Sequence, residues 1–394
     1  MNAPGKSRGE LKVTVVVNGR FHAFDYAAEL HSRGMLGRLI SSMPKCVATR
    51  FGIPGKYYVG LFHFEVLKRV WRITFKRELP VLFYARHFTK SAAKYVPTNS
   101  SAIISFAGYS EEIFTLPLLS GIPKILDRGS THTLVNQRLK HMAAQYHGTK
   151  WEAHPKDFIE RELKEYELAD AILVPSTFVR HTFLQEGINS NKIWQIPYGI
   201  SIKRFAGLDH QATQRQEAIL FVGNDQVRKG IGVLIDAMKI VRTAHPQMSL
   251  WVVGGTNEVL KIFDLATNSW IKSLGALHGQ LLLDRYKSAK IFCLPSFEEG
   301  LGLVLTEALQ CGLPIIATHN TGATDIIEDG KEGFLIPPGN PEALAGRIIT
   351  LLDDQMLYDK MVANAKLRRN EMTWQRFVDN LVDKLQTTIC PTII

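Results

Sequence analysis

The sequence predicts an α/β protein built from two Rossmann-like, doubly wound domains, and three observations carry that reading. Apolar runs alternate with amphipathic stretches from end to end, as in parallel sheets with helical crossovers. The tract 201–217 is polar, has no extended apolar run, and divides the chain into halves of similar size. The 394 residues suffice for two or three domains of about 150 residues each. With 45% of residues hydrophobic and 21% charged, the chain can bury sizeable cores, which excludes a disordered protein and a coiled coil.

In the first domain (1–200), residues 12–17 read as a buried strand and 23–33 as the helix after it, with Gly34 as its C-cap. Strands follow at 102–105, 124–126, 171–174 and 192–196, each a short apolar run between turn signals. Residues 158–168 form a polar helix in which Glu160 and Lys164 stand at the supportive i,i+4 spacing. Ser176 caps a helix that runs to Gln185 and is closed by Gly187. After the linker (201–217), the second domain (218–372) opens with a strand at 218–222, a helix at 231–243 and a strand at 250–253. A helix at 281–288, a strand at 290–294, a helix at 304–310 and a strand at 314–317 continue it. Asn340-Pro341 starts a further helix, with Leu344, Ile348 and Leu351 on its buried face.

No apolar run approaches the 18 or so residues of a membrane span, and the run 13–17 is too short for a secretory signal. Cys46, Cys293, Cys311 and Cys390 show no CxxC spacing, so neither a zinc site nor a disulfide framework is expected. The chain reads as cytoplasmic, with peripheral contact at the inner face of the cytoplasmic membrane left open. The net charge of +10 makes an anionic partner plausible, and one segment supplies it. Between residues 45 and 97, eleven lysines and arginines face only Glu65 and Glu78, a balance of +9.

The stretch 295–307, Pro-Ser-Phe-Glu-Glu-Gly-Leu-Gly-Leu-Val-Leu-Thr-Glu, carries the most chemistry. A strand ends at Pro295, a turn spans Glu299, Gly300, Leu301 and Gly302, and a helix begins near Leu303. The glycines let backbone approach a ligand, and the helix N-terminus favours a phosphate. Carboxylates here would repel phosphate, so Glu299 and Glu307 address hydroxyl groups of ribose and sugar instead.

Seven residues separate Glu299 from Glu307. With the Glu-Gly-Leu-Gly turn and the sequel Cys-Gly-Leu-Pro, this stretch resembles the retaining glycosyltransferases of family 4, which have the two-domain GT-B fold around a central cleft. The resemblance implies that Glu299 faces the donor sugar and Glu307 the ribose hydroxyls. A second stretch, Phe221-Val-Gly-Asn-Asp-Gln-Val-Arg-Lys-Gly230, follows the first strand of the second domain and suits a diphosphate clamp. Lys229 matches the family's lysine, but Asn224 stands where relatives carry an arginine, and Arg228 is the candidate replacement. Thr373-Trp374 resembles the start of the C-terminal helix (373–394) that crosses back to the first domain.

In the first domain, Gly19-Arg20-Phe21-His22 follows the first strand, where the family places a Gly-containing loop beneath diphosphate and acceptor. Gly19 is assigned to the donor, and His22 and Asp25 to the acceptor side, with a structural loop histidine as the rival reading. His132, in Asp127-Arg-Gly-Ser-Thr-His, is aligned with the family's active-site histidine.

No Asp-X-Asp lies in a strand-end loop, so no metal is expected, and Lys229, Arg228 and the helix N-terminus would stabilise the leaving diphosphate. No G-x-G-x-x-G or Walker A sequence is present, and no cofactor is expected beyond the nucleotide diphosphate sugar as substrate. The expected activity is metal-independent transfer of a sugar, a hexose in the first place, to a hydroxyl acceptor in bacterial polysaccharide, lipopolysaccharide or glycolipid synthesis. A glycogen-synthase-like or phosphorylase-like enzyme is the alternative within the fold. A basic nucleic-acid-binding protein and a catalytically dead binding protein are the alternatives of other classes. On a helical wheel, Lys68, Arg69, Arg72 and Lys76 share one arc, with Phe64, Val66, Leu67, Val70 and Trp71 opposite. Such a helix either rests on an anionic membrane, with a lipid-linked acceptor, or faces the core with a solvated basic side.

Overall fold

A computed structural model describes residues 11–200, 215–255, 268–368 and 371–389. Two parallel sheets organise these residues. The first holds β1 (Val13–Val17), β2 (Leu36–Ser41), β3 (Tyr58–Gly60), β4 (Ala102–Phe106), β5 (Lys124–Asp127), β6 (Ala171–Val174) and β7 (Ile193–Gln195), in the order β3-β2-β1-β4-β5-β6-β7. The second holds β8 (Ala218–Val222), β9 (Ser249–Val253), β10 (Ile271–Gly275), β11 (Ile291–Leu294), β12 (Ile315–Thr318) and β13 (Gly333–Ile336), in the order β10-β9-β8-β11-β12-β13. Helices cover both faces, which is why the central strands β1 and β8 are apolar and wholly buried. Strand order reverses beside β1 in one sheet and beside β8 in the other. Crevices outside the carboxyl ends of the strands open at such points. The loops that leave β1, β5, β8 and β11 therefore meet between the sheets.

The strands read from sequence are present within a residue or two, whereas β2, β3, β10 and β13 were not legible. β3, β10 and β13 are sheet edges, β3 and β13 are short, β10 carries Lys272 and Ser273 within its run, and Gly37 and Arg38 interrupt the apolar run of β2. The Asn340 side chain accepts from the Ala343 N–H at 2.8 Å, and the Ser176 hydroxyl from the Val179 N–H at 3.2 Å, so both expected caps form. The Glu160–Lys164 pair does not: Lys164 reaches Glu111 at 2.6 Å, and Glu160 faces Lys156. That helix (Lys156–Leu168) is also less solvated than its composition implies, because Arg161, Glu162 and Glu165 turn inward. Arg161 binds Glu111 and Glu112, while Glu165 accepts the Ser110 and Glu111 N–H groups at 2.7 and 3.0 Å. Residues 201–214 of the expected linker lie outside the described residues. The helix Trp374–Ile389 returns to the first sheet's side, where Arg33 binds Asp379 at 2.6 Å and Tyr26 stacks on Phe377.

Helix His63–Phe75 does not turn its apolar arc to the core as a whole. It buries only Phe64 and leaves Val66, Leu67, Val70 and Ile73 exposed, so the apolar residues split between an inner and an outer face. A groove of about 520 Å³ runs along it, lined among others by Phe62, Val66, Arg69, Val70, Arg72 and Ile73.

Candidate active site

Two strand-to-helix loops of the second sheet lie side by side, joined where the Phe297 N–H donates to the Arg228 carbonyl at 2.9 Å. One loop leads from β8 into helix Ile231–Ala244 and the other from β11 into helix Leu303–Gln310. Lys229 Nζ sits 2.8 Å from Glu299 Oε2. The Arg228 guanidinium contacts three carboxylates: Asp225 at 2.9 Å and Glu298 and Glu299 at 3.2 Å each. Burial works against ionisation of Glu299, but Lys229 and Arg228 outweigh it and hold the carboxyl at about 2. The same three carboxylates keep Arg228 charged against its own burial. Arg228 thus supplies a cation beside Lys229, already engaged with protein carboxylates.

Glu307 stands in the second turn of helix Leu303–Gln310 and accepts from the Tyr286 hydroxyl at 2.9 Å. Gly302 caps this helix in a left-handed conformation without a side-chain capping bond. Leu303 is exposed at the helix start, whereas the Leu301 side chain is buried against Gly322, so only its backbone can meet a donor. Asn224 does not replace the missing arginine. It is uncharged, and its Oδ1 accepts the Gly255 N–H at 2.9 Å, which fastens the turn after β9.

The first domain meets this site directly. A Cβ on Gly300 would overlap the Gly129 carbonyl, so only glycine allows the approach. Glu298 Oε1 accepts from the Ser130 hydroxyl at 2.8 Å, the Thr131 hydroxyl at 3.0 Å and the Thr131 N–H at 3.2 Å. The two adjacent carboxylates therefore divide their work: Glu298 ties the domains, and Glu299 faces the cations. His22 Nε2 lies 2.9 Å from the buried Asp127 carboxylate, which also accepts from Tyr198 at 3.2 Å, and the His22 ring stacks on Tyr198. A Cβ on Gly129 would lie 3.5 Å from His22 Cε1, so His22 stands beside the junction with Gly300. Asp25 follows in the first turn of helix Ala23–Ser32, half-buried. The Gly19 N–H is already taken by Ser42 Oγ at 2.9 Å and its carbonyl by Ser41 at 2.7 Å, which leaves little for a diphosphate.

His132 corrects an expectation. It is 2% exposed, packed against Tyr166 and Phe183 inside the first domain, and burial pushes its pKa down to about 4. A neutral ring enclosed there does not reach the cleft, whereas the fold does bring His22 beside Gly129 and the Gly300 turn. Sequence reading also missed Glu298, Asp127 and Lys140. The first two gain their meaning from partners over a hundred residues away. Lys140 shares a helical face with Asn136, which donates to Ser130, and with His147. Burial lowers its pKa, and among the described residues it makes no ion pair.

Among the described residues no cluster of three His, Cys, Asp or Glu could hold a metal, and no helix is long and apolar enough to cross a membrane. Residues 208–368 match the family model described as glycosyl transferases group 1. A phosphatidyl-myo-inositol mannosyltransferase of Mycobacterium leprae is 30% identical over 183 residues, 45% of this chain and 49% of that protein. A D-inositol 3-phosphate glycosyltransferase of Corynebacterium jeikeium is 28% identical over 246 residues, 56% and 59% of the two. The chain thus spans about half the length of the curated relatives it matches. Among solved structures, the sucrose-phosphate synthase of Thermosynechococcus elongatus superposes with a TM-score of 0.70 at 19% identity, over 97% of this chain and 100% of that one. A glycosyltransferase of Rickettsia africae gives 0.65 at 17% identity, over 96% and 98%. The two sheets and their helices together form a GT-B fold.

Proposed function

We propose that the chain is a retaining glycosyltransferase that moves a sugar from a nucleotide diphosphate sugar to a hydroxyl acceptor. The observation that carries this is the Lys229–Glu299 pair, set with Arg228 at the start of two helices and facing a first-domain loop. The leaving diphosphate gathers negative charge as the glycosidic bond breaks, and fixed cations in a closed cleft favour that state over the ground state. Lys229 serves this role by exchanging Glu299 for a phosphate oxygen. Glu299, released from part of its pairing and held ionised, then accepts from donor-sugar hydroxyls. Glu307, oriented by Tyr286, accepts from ribose hydroxyls. The N–H groups at the start of helix Leu303–Gln310 add a positive field. Glu298 keeps Ser130 and Thr131 against the site, which limits water and suppresses donor hydrolysis.

The relatives' names, which carry phosphatidyl-inositol and inositol phosphate, support a polyol acceptor in glycolipid or envelope polysaccharide synthesis. Helix His63–Phe75 supports a lipid-linked one. Val66, Val70 and Ile73 form its outward stripe with Arg69, Arg72 and Lys76 alongside, as in a helix resting on an anionic membrane surface. That helix also reaches the loop after β1, because the Ser42 hydroxyl that holds Gly19 donates to Glu65 at 2.6 Å. The assigned place is then the inner face of the cytoplasmic membrane.

A thermal-shift panel with UDP, GDP, ADP and their sugars tests the donor site, since a ligand specific to the folded form raises Tm by mass action. One nucleotide should stand out. No shift with any of them would remove the transferase reading.

A further inference from the structure

One loop holds an aromatic ring in water through a strained backbone. Phe21 lies between β1 and helix Ala23–Ser32 with φ +38°, a left-handed conformation rare outside glycine. Among the described residues only Lys76, at a helix end, shares this trait. Such strain persists where the surroundings dictate it, and it gathers at ligand sites. Here both flanks are fixed: Gly19 by Ser41 and Ser42, His22 by Asp127 and Tyr198. The strain does not bury the ring, which is 63% exposed. One side leans on Phe106, centroids 6.0 Å apart with 27° between planes, and a Cβ on Gly19 would come within 3.2 Å of Phe21 Cε2. The ring is propped from below and open above.

Its place is as specific as its geometry. The loop leaves the carboxyl end of β1, where the strand order reverses, and the next residue, His22, stands beside Gly129 and so beside the Gly300 turn that follows Glu299. We propose that Phe21 is a stacking platform for the pyranose ring of the acceptor. The inference rests on the function proposed above and names the acceptor's chemical class. A pyranose presents C–H bonds on one face and hydroxyls at its rim, which suits a flat aromatic beside a polar group such as His22, held in place by the buried Asp127. Fixing the ring by backbone strain removes the ordering that a mobile side chain would need on binding.

Saturation-transfer NMR on the full chain tests this, with methyl α-D-glucopyranoside, mannopyranoside and galactopyranoside as probes, in the presence of the nucleotide that stabilises the protein. Saturation should reach the C–H protons of one ring face in at least one glycoside. Phe21→Ala should weaken that glycoside about fivefold, the scale of one aromatic contact, and Phe21→Trp should restore it. Phe21→Gly should lose glycoside binding while Tm rises, because glycine takes this φ without strain. Nucleotide thermal shifts should stay unchanged in all three variants. Equal glycoside affinity in wild type and Phe21→Ala, or no transfer to any probe, would overturn the assignment. Loss of vesicle flotation in Phe21→Ala with glycoside binding intact would also overturn it, making the ring a membrane contact. If no nucleotide stabilises the wild type, the transferase reading fails separately, and the glycoside titration without nucleotide still decides the platform.

Discussion

The Gly232 N–H, in the first turn of helix Ile231–Ala244, donates to His147 Nε2 of the first domain at 2.9 Å. The other ring nitrogen, Nδ1, lies 2.7 Å from the Ala143 carbonyl and must donate to it. This network assigns a neutral ring protonated at Nδ1. The contact also bears on the candidate site, because helix Ile231–Ala244 begins two residues after Lys229. Tyr146, beside His147, donates to Asp236 of the same helix at 3.0 Å, and Phe297 packs on both rings.

A pH dependence follows from that ring. Burial lowers the His147 pKa, with the Ala143 carbonyl and Asp236 opposing in part. A histidine whose folded pKa is depressed contributes stability that is complete above the free value of about 6.5 and is lost as pH falls toward the folded pKa. A protonated Nε2 could no longer accept from Gly232 and would face the positive end of the helix. Tm and activity should therefore fall from pH 7 toward pH 5. In His147→Gln, whose amide oxygen can take the place of Nε2 without titrating, that fall should flatten. Parallel Tm–pH curves for the two proteins would show that His147 does not hold the domains.

At the donor site, Glu307→Ala should weaken nucleotide binding by about 1.5–3 kcal/mol, the scale of hydrogen bonds to a charged group. Tyr286→Phe, which removes the hydroxyl that donates to Glu307 at 2.9 Å, should lose about 1 kcal/mol. Lys229→Ala should reduce kcat more than donor affinity, since its charge serves the developing diphosphate. Calorimetry with the stabilising nucleotide, beside steady-state kinetics, separates these effects.

The donor half of the site was legible because its residues are consecutive. A strand, a glycine turn and a helix start follow one another from Pro295 to Glu307, and the family resemblance of that stretch is what implies that Glu299 and Glu307 share one ligand. The partners from the first domain were not. Glu298 looks like one more carboxylate until Thr131, 167 positions earlier, is folded against it. His132 looked like a loop histidine because its enclosure depends on Tyr166 and Phe183, which belong to later elements. The helix Lys156–Leu168 read as polar, and its composition does not reveal the ion pairs that let Arg161 and Glu162 be buried.

The chemistry proposed here needs no divalent ion, because Lys229 and Arg228 supply the positive charge beside the leaving group. Activity should survive EDTA with kcat unchanged. Loss on chelation, restored by magnesium or manganese, would show that the two cations do not suffice.

The acceptor side makes a separate claim about helix His63–Phe75. Lys68 is partly neutralised by Glu65 at 2.9 Å, which leaves Arg69, Arg72 and Lys76 as the groups best placed to meet anionic headgroups. Each basic group near such a surface contributes about 1 kcal/mol, and the contribution fades with salt. The stripe of Val66, Val70 and Ile73 adds an apolar part that salt does not screen. Liposome flotation can separate the two. Arg69→Ser, Arg72→Ser and Lys76→Ser together should abolish the preference for anionic vesicles, while Val70→Asn with Ile73→Asn should weaken binding at every salt concentration. Neither set should lower Tm by much, because Phe64 is the one residue of this helix that the core encloses. Equal recovery in the soluble fraction with and without anionic vesicles at low salt would leave the stripe unexplained and favour a soluble acceptor.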